Sequence, residues 1–220
     1  MNRRGILIVV SGFAGSGKGT LMKELLNQYD NYALSISATT RKPRGQEVDG
    51  KEYFFKSVEE FEKMIAQEEL IEYANYVGNY YGTPKAYVEE QLASGKDVIL
   101  EIEIQGALKV KELVPEAICI FIMPPSMKEL KKRLVGRGTE TKEKVLGRFK
   151  AAYQEINQVT SYNYVVTNDD IKNAVEKMSA ILISEKCRVD RIEQVYLANE
   201  EEEIHELLMD EAFINEDIKI

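Results

Sequence analysis

Seven consecutive residues, Gly12, Phe13, Ala14, Gly15, Ser16, Gly17 and Lys18, have the spacing G-x-x-x-x-G-K, which suits the holding of a phosphate chain. Glycines allow successive backbone N–H groups to turn toward one point and form an anion nest. A helix beginning directly after the loop adds a partial positive charge at its N-terminus, and Lys18 adds a full mobile one. The usual pattern continues with Ser or Thr, whose hydroxyl meets Mg²⁺. Here Gly19 and then Thr20 follow. How the ion is held is therefore open; phosphate and water ligation, with carboxylates further out, is one solution.

A second anion site is legible further along. Arg41 and Arg44 stand three apart around Pro43 in TTRKPRG. Two guanidinium forks close together suit a phosphate dianion. Tyr53 and Tyr81 can donate hydroxyl hydrogen bonds to the same group. The competing reading is a pair of solvated arginines on a surface loop. Glu72 lies in LIEYA between apolar neighbours, and as a strand residue it would share a face with Leu70 and Ala74. A carboxylate there needs donors. Guanine offers two side by side, N1–H and the N2 amine, whereas adenine lacks the amine and presents an acceptor at N1. A site of this kind discriminates strongly. A surface salt bridge is the alternative for Glu72.

Other chemistries are poorly supplied. The chain has one histidine, His205, in an acidic tail. A serine–histidine–aspartate triad, a histidine-based zinc site or a histidine general base would all depend on that one residue. Cys119 sits in the apolar run AICIFIM, far from Cys187, and reads as a buried thiol. The net charge of −8 belongs to residues 199–220, which carry nine acids against Lys219 alone; residues 1–198 hold 28 acids and 28 bases. A neutral body does not suggest a non-specific nucleic-acid binder. No apolar run approaches the roughly 20 residues of a membrane helix, and the few residues before the glycine loop do not read as a leader. No membrane or nucleic-acid partner is expected, and a cytoplasmic location is.

The elements that must position these residues follow from pattern. Residues 6–10 (ILIVV) form a β-branched run typical of a strand buried on both faces. After the glycine loop, Leu21, Leu25, Leu26 and Tyr29 define one helical stripe. Ser57 and Glu60 form a capping box for a helix with Val58, Phe61, Met64 and Ile65 inward. LIEYANYVGNYYG reads as two strands with a turn at Gly78-Asn79. Thr83 and Pro84 read as a cap and first-turn proline of a helix closed by Gly95. Residues 98–104 (VILEIEI) and 117–123 read as strands, the former placing Glu101 and Glu103 on one face near its C-terminal end. Ser126 caps a further helix, 142–156 forms another, 164–167 is a last strand and 171–187 an amphipathic helix. Residues 200–203 read as a solvated or weakly helical tail. Alternating strands and helices give an α/β protein with a mostly parallel sheet.

The series GxxGxGKG, SATTRKPRG-x-E-x-DG-x-YFF, IEYA-x-Y-x-GNYYGT, ILEIEIQGA, PPS-x-x-x-L-x-x-RL-x-GRGTE and a late TND resembles the guanylate kinase family from about residue 5 to 187. The loop GSGKGT departs from the family's usual GKST and is closer to the adenylate-kinase form. Glu103 stands where an aspartate is usual. The resemblance implies a three-layer P-loop NTPase fold with an inserted GMP-binding subdomain and a helical lid. It divides the chain into a core (1–36, 88–126, 157–187), a GMP subdomain (37–87), a lid (127–156) and an acidic extension (188–220). It implies ATP as donor, Mg²⁺ as cofactor with no metal ligand assigned to the protein, GMP (and dGMP) as acceptor, and a monomer or homodimer. By resemblance, residues 12–20, Arg133 and Asn168 meet ATP, with the helix N-cap as the other reading of Asn168. Ser37, Arg41, Arg44, Tyr53, Glu72, Tyr81, Thr83, Glu101 and Glu103 meet GMP. Lys18, Arg41, Arg137 and Arg148 act on the transferring phosphoryl group. Another nucleoside monophosphate kinase, or a non-catalytic phosphopeptide-binding module, are the competing functions.

Overall fold

In the computed structural model, which describes residues 4–76, 78–136, 142–191 and 194–209, the first apolar run becomes β1 (Leu7–Gly12), with all six residues buried. After the glycine loop, α1 (Lys18–Gln28) buries Leu21, Met22 and Leu25. β2 (Tyr32–Leu34) follows, then the two-residue strands β3 (Ala38–Thr39) and β4 (Phe54–Phe55). The expected capping box opens α2 (Val58–Ala66): Glu60 N donates to Ser57 Oγ at 3.1 Å, and Ser57 N donates to the Glu60 carboxylate at 2.7 Å. Phe61 is fully buried, but Val58 is 48% exposed rather than inward; it occupies the first helical position, one turn before the packed part of the helix.

The hairpin is as expected: β5 (Leu70–Tyr76) and β6 (Asn79–Pro84), with Gly78 at φ 77. α3 (Lys85–Ala93) begins one residue later than a Thr83 cap implies. Pro84 is its N-cap, with no side-chain cap bond, because the Thr83 hydroxyl is turned to Glu72 instead. β7 (Asp97–Glu101) ends earlier than the apolar pattern suggests, and α4 (Ile104–Leu113) starts where a strand was expected to end. Glu103 is thus the N-cap residue of α4 and not a strand residue, so the two carboxylates do not alternate along one strand. The remaining elements are β8 (Ile118–Met123), α5 (Met127–Gly136), α6 (Lys142–Glu155), β9 (Tyr164–Thr167), α7 (Ile171–Lys186) and α8 (Gln194–Met209).

Two compact units make up the chain, Met1–Val175 and Glu176–Ile220. The first contains a five-stranded sheet in the order β2-β7-β1-β8-β9, every neighbouring pair parallel. β1 lies at its centre, so its C-terminal end opens into the crevice where sheets of this kind bind ligands. A second sheet, β4-β3-β6-β5, has its own small core of Ala38, Phe61 and Leu70. Its β5–β6 ladder shifts register between Leu70 and Tyr73. Burial therefore fails to alternate: Leu70, Ile71 and Glu72 are all buried, which replaces the simple face-sharing expected of Leu70 and Glu72. In the second unit, the Glu185 carboxylate accepts from Arg188 (3.4 Å) and Arg191 (3.2 Å) just beyond the end of α7. α8 exposes Glu201, Glu202 and Glu203 together with Ile204, Leu207, Leu208 and Met209. No described helix is long and apolar enough to cross a membrane.

Candidate active site

The donor side is built from the loop between β1 and α1. Gly15 and Gly17 have φ near +90°, a left-handed conformation that side chains resist. The Phe13 ring is fully buried and edge-on to Phe121 at 5.0 Å, and so anchors the loop to the sheet. The Ser16 hydroxyl is buried without a hydrogen-bond partner among the described residues, a polar atom that a phosphate oxygen would satisfy. The Lys18 ammonium donates to the Gly12 carbonyl, which folds it back over the loop. α1 starts on Lys18 with no side-chain cap and no acid in its first turn, leaving its N-terminal N–H groups to an incoming anion. Gly19 and Thr20 are exposed on that first turn.

The acceptor side lies in the small sheet. Arg41 bonds the Glu47 carboxylate through both terminal nitrogens, at 2.9 Å each, and the Lys42 carbonyl at 2.8 Å. Its guanidinium lies 5.1 Å from the centre of the Tyr53 ring and 5.8 Å from that of Phe55. The rings of Tyr53 and Tyr81 are 6.2 Å apart. Arg41, Tyr53 and Tyr81 are thus brought together as expected. Tyr53 is also hydrogen-bonded to the Arg41 guanidinium, so Arg41, Glu47 and Tyr53 form one connected cluster around a planar, multi-donor cation of the kind that suits a phosphate. The hydrogen bond to Glu47 raises the Arg41 pKa further, and Arg41 with the Arg44 N–H holds Glu47 below the ordinary carboxylate range. The Arg44 side chain is exposed. Ser37 contributes its carbonyl to Phe54 N at 2.9 Å.

Glu72 is 8% exposed. One of its carboxylate oxygens accepts from Thr83 Oγ1 at 2.8 Å. Its other oxygen, Oε2, lies so close to Gly106 that a β-carbon there would stand 2.9 Å away. Burial pushes the Glu72 carboxyl above its ordinary range; the Thr83 bond and the Lys109 charge offset part of that. A carboxylate in this setting has spare acceptor capacity and few donors.

One short segment links the two sides. Glu101 ends β7, and its Oε1 would lie 3.9 Å from a β-carbon at Gly19. Burial raises its pKa, Lys18 lowers it and Glu103 raises it further. Ser11 Oγ donates to the Ile102 carbonyl at 2.9 Å, tying the segment to the end of β1. Five residues past Glu101 the chain reaches Gly106 and the Glu72 carboxylate. The glycine loop and the buried Glu72 carboxylate are therefore both contacted by one stretch of backbone. Glu103 itself is exposed.

The arginines of α5 and α6 fall differently. Arg133 donates to Glu129 (3.2 Å), the Ser16 carbonyl (3.2 Å) and the Asn168 carbonyl (3.1 Å). Asn168 is buried, with its side-chain nitrogen 2.9 Å from the same Ser16 carbonyl. Arg148 lies half-buried on α6. Arg137 lies outside the described residues. Three contributors escape the sequence reading. Glu47 stands inside the arginine motif, and its spacing from Arg41 offers a signal. Gly106 has no signal in the sequence, since its neighbour is 34 positions away. Glu155 ends α6 within the influence of Glu103 and Lys18, and its carboxyl is raised mainly by burial.

A phosphate cradle at the C-terminal end of the central strand of a parallel sheet, with a separate anion clamp on an inserted sheet, defines the class: a P-loop NTPase fold equipped for two phosphate-bearing ligands. The guanylate kinase family model matches residues 4–185. The chain is 56% identical over 209 residues to a guanylate kinase of Clostridium perfringens (strain SM101 / Type A), covering 95% of this chain and 97% of that one. It is 56% identical over 204 residues to the guanylate kinase of Caldanaerobacter subterraneus subsp. tengcongensis, covering 93% and 99%. The crystal structure of guanylate kinase from Anaplasma phagocytophilum superposes with a TM-score of 0.69 at 35% identity, covering 86% of this chain and 89% of that one. The chain belongs to the guanylate kinase family.

Proposed function

We propose that the protein transfers the γ-phosphoryl group of ATP to GMP, giving ADP and GDP. The observation that carries this reading is the buried Glu72 carboxylate, held by Thr83 on one oxygen and seated against Gly106 with the other. It suits the paired N–H donors of guanine, and the Arg41, Tyr53 and Tyr81 cluster suits the phosphate of the same nucleotide. A phosphate oxygen of GMP forms the new bond to the γ-phosphorus while the bond to the β–γ bridging oxygen breaks and the electron pair leaves with ADP. Such transfer needs positioning and charge neutralisation and no covalent intermediate on the protein. Lys18 and the loop N–H groups orient the donor chain. Arg41 holds the attacking phosphate, Arg44 adds a second charge at its mouth, and Arg137 and Arg148 supply charge from the lid. dGMP shares the base and phosphate and is accepted.

When bound with ATP, Mg²⁺ would supply charge neutralisation at the phosphate oxygens. Glu101, whose Oε1 would lie 3.9 Å from a β-carbon at Gly19, is a carboxylate that could meet water bound to such an ion. We place the reaction in the cytoplasm, carried out by a monomer or homodimer. Steady-state rates with GMP, dGMP, AMP, UMP and CMP test the assignment. GMP and dGMP should dominate, and Lys18→Ala should collapse turnover; faster turnover of AMP than of GMP overturns it.

A further inference from the structure

The Ser16 carbonyl accepts two side-chain hydrogen bonds, one from Asn168 Nδ2 at 2.9 Å and one from Arg133 Nη1 at 3.2 Å. Asn168 is itself fixed, since its N–H donates to the Met123 carbonyl at 2.8 Å and its carbonyl accepts from Arg133 Nη2 at 3.1 Å. The side chain is 3% exposed. It reaches Ser16 only because residue 17 is glycine: a β-carbon there would stand 2.4 Å from Asn168 Nδ2.

A trans peptide is planar, so the Ser16 C=O and the Gly17 N–H point in opposite directions. Two donors that hold the carbonyl on one side fix the N–H on the other. Among the described residues that N–H has no acceptor, and the neighbouring Ser16 hydroxyl is also buried and unsatisfied. The Gly17 N–H is thus a donor that the loop can turn toward an anion.

We propose that Asn168, reinforced by Arg133, is a positioning residue of the donor-phosphate cradle: by holding the Ser16 carbonyl outward it aims the Gly17 N–H at the ATP phosphates. The role is independent of the base, in contrast to an adenine contact. It also gives Arg133, on the first lid helix, a direct grip on the loop. The inference rests on the reading of residues 12–18 as the ATP cradle.

The experiment measures dissociation constants of Mg²⁺-ATP and of Mg²⁺-tripolyphosphate, which has no base, for the wild type, Asn168→Ala, Asn168→Asp and Arg133→Met. A single hydrogen bond to a backbone carbonyl is worth about a tenfold change in binding. Asn168→Ala should weaken both ligands by the same factor of about ten, and Asn168→Asp by more, because its carboxylate repels the Ser16 carbonyl. Arg133→Met keeps the stem and should weaken both by a smaller equal factor, which keeps the idea testable if the Asn168 variants fold poorly. With ¹⁵N-glycine labelling, the Gly17 amide resonance should move on addition of tripolyphosphate in the wild type and much less in Asn168→Ala. Loss of ATP binding with tripolyphosphate binding intact would mean a base contact and would overturn the proposal, as would unchanged binding of both. Lys18→Ala is the separate control: if it binds both ligands as the wild type does, the cradle reading itself fails.

Discussion

At the scale of single residues, the proposed chemistry turns on how Glu72 is kept. Glu72→Gln leaves one acceptor and introduces a donor facing a donor. Hydrogen bonds to charged groups contribute about 1.5–3 kcal/mol, so KM for GMP should rise by roughly 10- to 150-fold, with KM for ATP unchanged. Gly106→Ala makes the same cut from the other side. Its β-carbon would press on the Glu72 carboxylate at 2.9 Å, and KM for GMP should rise about tenfold while the ATP value holds; steady-state kinetics with each substrate varied checks both. The raised pKa of Glu72 adds a pH signature. A carboxyl whose folded pKa lies above its unfolded value of about 4.3 favours folding fully below that value. The advantage is lost as pH climbs through the folded pKa. Denaturation of the ligand-free protein should therefore show Glu72→Gln gaining stability relative to the wild type as pH rises from 4.3 toward neutrality. GMP, which needs the ionised form, should bind the wild type more weakly as pH falls through the same window. A stability difference flat across that range would mean that burial does not burden this carboxylate.

At the scale of elements, local patterns and distant contacts divided the labour. The capping box of α2 was readable because all its partners lie within four residues, and Ser57→Ala should cost about 1 kcal/mol in chemical denaturation. The turn at Gly78 and the strand at 164–167 were readable for the same reason. The end of β7 was not: Ile102 and Ile104 continue the apolar alternation of the strand, yet the chain turns there into α4, and only the Ser11–Ile102 bond and the packing of Gly106 on Glu72 record why. The register shift in β5 was equally hidden, since nothing in LIEYA marks it, while Thr83 and Gly106 are what meet the Glu72 carboxylate. In the candidate site, the two arginines were plain from TTRKPRG and the spacing of Glu47 from Arg41 hinted at a pairing, but its two-pronged geometry needed the fold. So did the use of Arg133 and Asn168 on the Ser16 carbonyl, which joins positions more than a hundred residues apart. The lid helices α5 and α6 and the inserted sheet should close on the core when both sites are filled. Small-angle scattering with a bisubstrate analogue linking adenosine and guanosine should give a smaller radius of gyration than the free protein; superimposable profiles would dismiss closure.

At the scale of the whole molecule, every described residue of the two proposed anion sites lies within Met1–Val175. A chain ended after Arg191 keeps the Glu185 contacts with Arg188 and Arg191 and loses α8 with its acidic run. It should retain kcat/KM for GMP within about twofold in the coupled assay, and a collapse would assign the tail a part in the reaction. The register shift of the hairpin has a consequence for anyone wishing to retarget the enzyme. Because the backbone slips there, position 72 is aimed by its ladder partners and by a glycine on a helix of the other layer. Exchanging that one side chain should abolish the native acceptor without recruiting a new one. A change of base preference would require transplanting the hairpin as a cassette together with its seat at 106, while the donor half of the molecule stays as it is.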